Sequence, residues 1–541
     1  MAHHSTVSVQ RRHWLQLAAA AATTPWLARS TWAQPKLSNN PFALGVASGS
    51  PTADGVVLWT RLVQPTLFGG SALGQDTVTV RWEIAHDESF KQIVQSGQAS
   101  ALPELGHSVH VEASGLQSER WYFYRFMLGG NATASSGNDW VSTTGRTRTL
   151  PAVNAALSKL RLAYASCQRW EHGYYSAYTH MLADQPDAVV FLGDYIYEYP
   201  NAGNAVRTPT GGWVTTLADY RARYAMHKSD SELQAIHAHC PWLVIWDDHE
   251  VQNDYSGMNP GNTGPEVASF AARRAAAYQA FYEHMPLRAS VLQSGLAGLA
   301  TGAEMRIYNS VRFGNLATLH LLDTRQHKSA AACTKDGAPG SSTVNPTLCP
   351  EWLDPQRSML GSAQERWLSD SLARARGDKS WQVIGQSTLF GARDFRAGPG
   401  QTLWNDGWDG YAPARQRLTD TLQANNVANA VLLGGDVHEN WVGHVLPDYA
   451  KQGGKAVGVE FCGTSITSRS GGNDKTAERL AENPHFVFAD AQYKGYGIAD
   501  FSPGQLNVSL RVVDDVRSVK TQVQTLAKFA VQSGRSVIEK A

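Results

Sequence analysis

Five apolar runs, each closed by a polar cluster, constrain this chain more than any other feature of its sequence. Leu162-Ala163-Tyr164-Ala165 leads into Ser166-Cys167, Ala188-Val189-Val190-Phe191-Leu192 into Gly193-Asp194, and Trp242-Leu243-Val244-Ile245-Trp246 into Asp247-Asp248-His249. Leu319-His320-Leu321-Leu322 leads into Asp323, and Ala430-Val431-Leu432-Leu433 into Gly434-Gly435-Asp436-Val437-His438. Apolar runs of this kind describe strands buried on both faces, and such a sheet needs helices on its outside. Residues 160–520 are therefore expected to form a layered α/β domain. In such folds ligands sit beyond the carboxyl ends of the strands, where every one of these polar clusters lies.

Residues 41–150 have a different texture. Gly55–Thr60, Val78–Ile84, His107–Val111 and Trp121–Phe126 alternate apolar and polar residues between turn residues such as Asp54-Gly55 and Gly129-Gly130. That spacing predicts a small antiparallel β-sandwich, ended by Pro151. Residues 201–217 and 328–351 are rich in Gly, Pro, Ser, Thr and Asn and read as insertions. Residues 521–541 are expected to form a helical tail, with Val523, Leu526, Phe529 and Val531 on one apolar face.

The chain has 541 residues, enough for two or three domains, and carries 47 basic and 47 acidic side chains. The absence of a basic excess argues against a nucleic-acid partner. At the N-terminus, Arg11-Arg12 precedes a short apolar stretch through Ala22, and Thr31-Trp32-Ala33 offers a small-residue cleavage site. Residues 1–33 thus read as a signal peptide for the twin-arginine export machinery, with an ordinary secretory signal as the alternative. The run is too short to anchor the chain in a membrane, so a periplasmic or secreted protein is expected. Of the five cysteines, Cys333 and Cys349 share one loop-like stretch and are expected to form a disulfide.

The polar clusters also carry chemistry. Several carboxylates at one end of a sheet repel unless a cation neutralises them. Gly193 lets the strand turn so that Asp194 aims both oxygens into the cleft, and a carboxylate so placed can bridge two metals. Tyr197 is three residues on and can fold back over the same ion; a phenolate favours a hard, trivalent metal, and a core tyrosine is the alternative. In the segment 246–255, one carboxylate can bind metal while His249 protonates a leaving oxygen or steadies the developing charge, and another, Asp247 or Glu250, orients the imidazole. Asp436 and His438 are two apart and, on a strand, would point the same way.

At this point the sequence resembles the PhoD-like metallophosphatases (the alkaline phosphatase D family), and more distantly the calcineurin-like dinuclear phosphoesterases. The resemblance is carried by GDYIYE at 193–198, WDDHEVQND at 246–254, LDTRQ at 322–326, GGDVHEN at 434–440 and EFCGTSITS at 460–468, in order along residues 41–530. It implies a metallophosphatase-like β-sandwich core with flanking helices, behind an N-terminal all-β, fibronectin-like sandwich. It implies that Cys167, Asp194, Tyr197 and His438 hold iron(III). Asp194, Asp248 and Asp436 would hold calcium, with Asn253 as a further ligand; zinc or another divalent metal is the alternative. Asn253-Asp254 stands where the family often has an Asn-Asn pair. A ligating Cys167 would account for the odd cysteine count, against the alternative of a small buried apolar side chain. Arg169 and Arg325 are candidate phosphate contacts, since a guanidinium grips phosphate oxygens in pairs; for each, a surface ion pair is the alternative.

The expected activity is hydrolysis of a small phosphoester by a metal-activated hydroxide, without a covalent phospho-enzyme, in a protein expected to be monomeric. Phosphomonoesters, and also diesters, are the expected substrates. The alternatives are a phosphodiesterase or phospholipase D-like enzyme on the same site, and a non-catalytic exported binding module.

Overall fold

The computed structural model describes residues 39–63, 73–129, 140–301, 304–451 and 454–541. The proposed targeting segment, residues 1–33, lies outside the described residues. Among those described, no helix is long and apolar enough to cross a membrane.

The first three apolar runs become adjacent parallel strands. Ala188–Leu192 lies between Leu160–Ala165 and Trp242–Ile245, with Ala188 opposite Leu162 and Val190 opposite Leu243. The last two runs enter a second sheet, in the order Asn309–Phe313, Ala317–Leu321, Trp381–Gly385, Ala430–Gly434, Gly458–Cys462, Asn440–Val445, Phe486–Asp490. Alternation along these strands shows why the runs are apolar throughout. Val383, Val431 and Leu433 pack into the cluster shared with Leu162, Val189 and Phe191 of the first sheet. Their neighbours Ile384 and Leu432 face Leu368, Leu372 and Leu418 of the helices Gly361–Arg374 and Ala412–Ala424. Helices Ala177–Ala183, Leu217–Lys228, Ser231–His239 and Phe270–His284 bury Tyr178, Tyr224, Ile236 and Phe281 in the same cluster as the first sheet. The result is the layered α/β sandwich with flanking helices that the sequence predicts.

The N-terminal unit is all-β. Val46–Gly49, Val56–Arg61 and Ser108–Ala113 form one layer, and Ile93–Ala101, Val78–Ala85, Trp121–Leu128, Trp140–Val141 and Gly145–Arg148 the other. Val56, Leu58, Val80, Ile84, Val111 and Phe126 fill the space between them. This unit is not separate from the rest: Val46–Gly49 pairs in parallel with Trp242–Ile245, Gly49 opposite Trp242. Its three-stranded layer therefore extends the first sheet of the α/β domain into one of ten strands.

The tail corrects the sequence reading. Val523–Gln532 is a strand, antiparallel to Gln505–Val513, and Glu539–Lys540 pairs beyond it at the sheet edge. Ala527, Phe529 and Val531 are buried at a period of two, with the small Ala530 between them also covered, and a register shift at Leu510/Arg511 interrupts the alternation upstream. That irregularity is what made the spacing imitate a helix.

Lys228 sits where the two units meet. It is 2% exposed, with Nζ 4.3 Å from the Trp59 ring centre and 5.3 Å from that of Tyr195. Burial pulls its ammonium down to about 7. An unfolded lysine titrates near 10.4, so between these values the unfolded chain binds more protons and stability rises with pH. Lys228→Met should remove the burial penalty and also the ring contacts that partly offset it, a net gain of roughly 2 kcal/mol at pH 7. We expect a melting temperature a few degrees higher than wild type at pH 7 and equal to it above pH 10.5; equal gains at both pH values would refute this origin.

Candidate metal centre

The strand ends enter the centre through left-handed backbone. Cys167, Asp194, Asp436 and His438 have φ of 60°, 57°, 67° and 58°. Non-glycine residues avoid this region unless their surroundings hold them there. Here neighbouring strand ends do so: the Cys167 and Gln168 N–H groups donate to the carbonyls of Gly193 and Asp194, both at 3.1 Å. The Glu250 carboxylate accepts from the N–H groups of Asp194, Tyr195 and Asp247 and ties two strand ends together. At Gly193, φ 106°, a Cβ would stand 2.5 Å from Asp247 Cβ, so only glycine lets these two ends lie side by side. Asp436 and His438 lie in bends rather than on a strand, so their placement comes from this backbone and not from strand alternation.

Three groups of donors result, each with ligand atoms within 4.8 Å of one another: Cys167, Asp194 and His438; Asp194, Asp248 and His249; Asp248, Asp254 and Asp406. Asp194 joins the first group to the second, and Asp248 the second to the third. Tyr197 belongs with the first, its hydroxyl donating to Asp194 Oδ2 at 3.0 Å and lying 3.2 Å from His438 Nε2. His438 Nδ1 is 2.8 Å from the Arg469 carbonyl, which can only accept. The ring hydrogen is therefore on Nδ1, and Nε2 offers its lone pair to the cluster. Asp436 accepts from Thr388 Oγ1 at 2.6 Å.

His249 is oriented by a residue other than the expected Asp247 or Glu250. Its Nδ1 is 2.7 Å from Glu198 Oε2, while Glu198 Oε1 accepts the Asn253 N–H at 2.7 Å. Asp247 is instead the partner of Arg325 and of Ser387 Oγ. Neither candidate arginine is a surface ion pair. Arg325 is fully buried, contacting Asp247 through Nε and Asp406 through Nη1, with Nη2 3.7 Å from Asp248. The Arg169 guanidinium lies 4.0 Å over Tyr197 and 4.3 Å over Tyr199 and donates to the Tyr199 carbonyl. Lys328 Nζ adds a second cation on Asp406, at 2.6 Å. Cys333 and Cys349 are disulfide-bonded, and from the loop they close Ser341 donates to Asp254. Cys167, Cys240 and Cys462 are buried and free.

The electrostatics are those of an acid cluster short of positive charge. Burial, followed by Asp248, Asp247 and Glu250, drives the Asp194 carboxyl far above the usual range despite the opposing pull of His249. Burial with Asp247 and Asp248 does the same to Asp436, and burial with Asp406 and Asp248 lifts Asp254 to about 7. Asp248 is the exception: burial would raise it, but Arg325, His249 and the Asp254 N–H hold it below the ordinary range. Burial and Asp194 raise both the Cys167 thiol and the Tyr197 phenol well above normal. Burial and Lys494 take His438 down to about 3, which keeps it neutral and free to ligate. His249 goes the other way: burial opposes its charge, yet Glu198, Asp194 and Asp248 raise it well above normal.

Asp194 Oδ1 gives a direct test of whether a cation fits. It is buried and has no hydrogen-bond partner, although it belongs to the carboxylate that both donor groups share. Burying such an atom is unfavourable by several kcal/mol in round terms unless a cation or donor meets it. On the first side are a thiol, a phenol and an imidazole; on the other, mostly carboxylates. Donor sets so unlike select unlike metals. Glu198, Asp254 and Asp406 are the members that sequence reasoning gave no role. Glu198 stood inside a quoted motif, and Asp406 follows the short strand Leu403–Trp404, a weak form of the strand-end signal.

The profile of the family described as PhoD-like phosphatase matches residues 162–510, and that of its N-terminal domain matches residues 27–151. Alkaline phosphatase D of Bacillus subtilis (strain 168) is 42% identical over 517 residues, covering 94% of this chain and 84% of that protein. A solved structure described as Structure of PhoD superposes with a TM-score of 0.85 at 41% identity, over 94% of this chain and 93% of that one. A dimetal phosphatase from Danio rerio superposes with a TM-score of only 0.31 at 10% identity, over 68% of this chain and 98% of that one, and carries no argument.

Proposed function

This chain belongs to the PhoD-like phosphatase family and is a phosphoric ester hydrolase, and from that premise we propose that it is an exported enzyme whose activity depends on metals gathered around Asp194. The observation that carries the proposal is the unpartnered Asp194 Oδ1 between two donor sets of unlike chemistry. Cys167, Asp194, Tyr197 and His438 would hold iron(III). Asp194, Asp248, Asp436 and Asn253 would hold calcium, and Asp254 and Asp406 extend that side. When bound, the metals supply a nucleophilic hydroxide near neutral pH and offset charge on the phosphoryl oxygens.

The chain's own residues do the rest. Because Nδ1 of His249 faces Glu198, its Nε2 is left for the cleft, and from it His249 hands a proton to the leaving oxygen. Arg169, above the Tyr197 ring, remains the candidate contact for phosphoryl oxygens. Arg325, engaged by carboxylates, neutralises the acidic wall and keeps Asp248 ionised. Phosphate monoesters are the proposed substrates and diesters a second class. Export through the twin-arginine route rests on the sequence of residues 1–33.

Hydrolysis of p-nitrophenyl phosphate before and after dialysis against a chelator tests the proposal. We expect at least a 100-fold loss, disappearance of a visible charge-transfer band, and recovery when iron and calcium are returned together. Full activity after chelation would sink the metal dependence, and a colourless active protein the iron assignment. The bis ester and a phospholipid, assayed alongside, separate the substrate classes.

A further inference from the structure

A row of rings leads from the metal centre to the surface. The Tyr197 and His249 ring centres are 4.2 Å apart, those of His249 and Tyr199 5.8 Å, and those of Tyr199 and Trp213 5.0 Å with the last pair stacked at 30°. Trp213 ends the row and is 39% exposed. Exposed though it is, its backbone is held on both sides. The Val214 N–H donates to the Glu198 carbonyl at 2.7 Å and the Val214 carbonyl accepts from Arg273 Nη2 at 2.9 Å. Arg223 bonds the carbonyls of both Tyr197 and Gly212. Glu198 thus holds the backbone next to Trp213 through its carbonyl and His249 through its carboxylate, and Tyr199 lies between the indole and the imidazole in the row. The facing loop makes room for it: at Gly264, φ +97°, a Cβ would lie 2.8 Å from the indole ring, and Gln252 ties that loop down through the Thr263 carbonyl.

We propose that Trp213 and Tyr199 form a leaving-group subsite that accepts a planar aromatic ring of the phosphoester. The inference rests on the phosphoesterase reading, in which His249 protonates the leaving oxygen, because that places the leaving group next to this shelf. A stacking surface fixed in advance loses little freedom on binding, which favours a flat ring over a flexible or small group. Trp213 is therefore a specificity residue and takes no part in bond breaking.

The test compares phenylphosphonate with methylphosphonate, bound to the metal-loaded protein and followed by calorimetry. Wild type should bind the phenyl compound about tenfold more tightly, and Trp213→Ala should lose that preference while holding methylphosphonate within about twofold. Trp213→Phe should keep most of the preference. Unchanged methylphosphonate binding also shows that the alanine variant is folded. An equal loss for both ligands, or an unaltered preference, overturns the subsite. Wild-type turnover of p-nitrophenyl phosphate in the same preparation separates the two readings. Turnover without a phenyl preference sinks the subsite alone, whereas a Trp213-dependent preference without turnover leaves a ring-binding shelf but sinks the hydrolytic reading and with it the leaving-group assignment.

Discussion

Asp194→Asn is expected to lower kcat on p-nitrophenyl phosphate by about 10³-fold and, at the same time, to raise the melting temperature of the metal-free protein. The two effects have opposite signs and one cause. Asp194 is the carboxylate shared by the Cys167/His438 and Asp248/His249 groups, so its charge is what both donor groups have in common. Without metal that same charge is buried among Asp247, Asp248 and Glu250, which is why its carboxyl is driven so far up. Asparagine keeps the size and removes the repulsion. Activity, metal content and melting curves with and without chelator check the prediction together. Retention of full activity would remove Asp194 from the centre, and a lower melting temperature for the chelated variant would contradict the electrostatic account.

Glu198→Gln carries the second large effect, and the leaving group decides its size. Glu198 holds His249 by Nδ1 and so fixes which nitrogen faces the cleft. An alkoxide needs a proton to leave; p-nitrophenolate hardly does. We therefore expect kcat on glycerol phosphate to fall about 10³-fold and kcat on p-nitrophenyl phosphate only about tenfold, with KM nearly unchanged in both cases. His249→Gln should reproduce the pattern. A purely structural Glu198 would lower both rates by the same factor, and that result would end its assignment as the positioning residue for His249.

The sequence displays the strand-end part of this centre because the signal is local. An apolar run followed by Asp194, Asp248 or Asp436 is visible within a few residues, and Tyr197 is close enough in sequence to Asp194 for its fold-back to be guessed. The partner of His249 is not local. Glu198 is separated from it by 51 residues, and nothing near either one says that they meet. Asp406 reaches Arg325 across 81 residues from a loop with only a two-residue strand before it. The Asp-x-His pair misled in another way: two residues apart suggests a strand, but the left-handed backbone at 436 and 438 replaces alternation with a double bend. The tail failed for a similar reason, since a register shift hides a period of two.

The pairing of Gly49 with Trp242 bears on how such a chain can be divided. The profile boundary near residue 151 runs through a linker in sequence, yet in space a cut there would pass through a continuous hydrogen-bonded ribbon. The strand exposed by removing the first part is Trp242–Ile245, whose far end delivers Asp248 and His249. A naked edge of that kind recruits other chains. The front portion of this molecule is thus better regarded as a permanent chaperone for the strand that leads to Asp248 and His249 than as a detachable module.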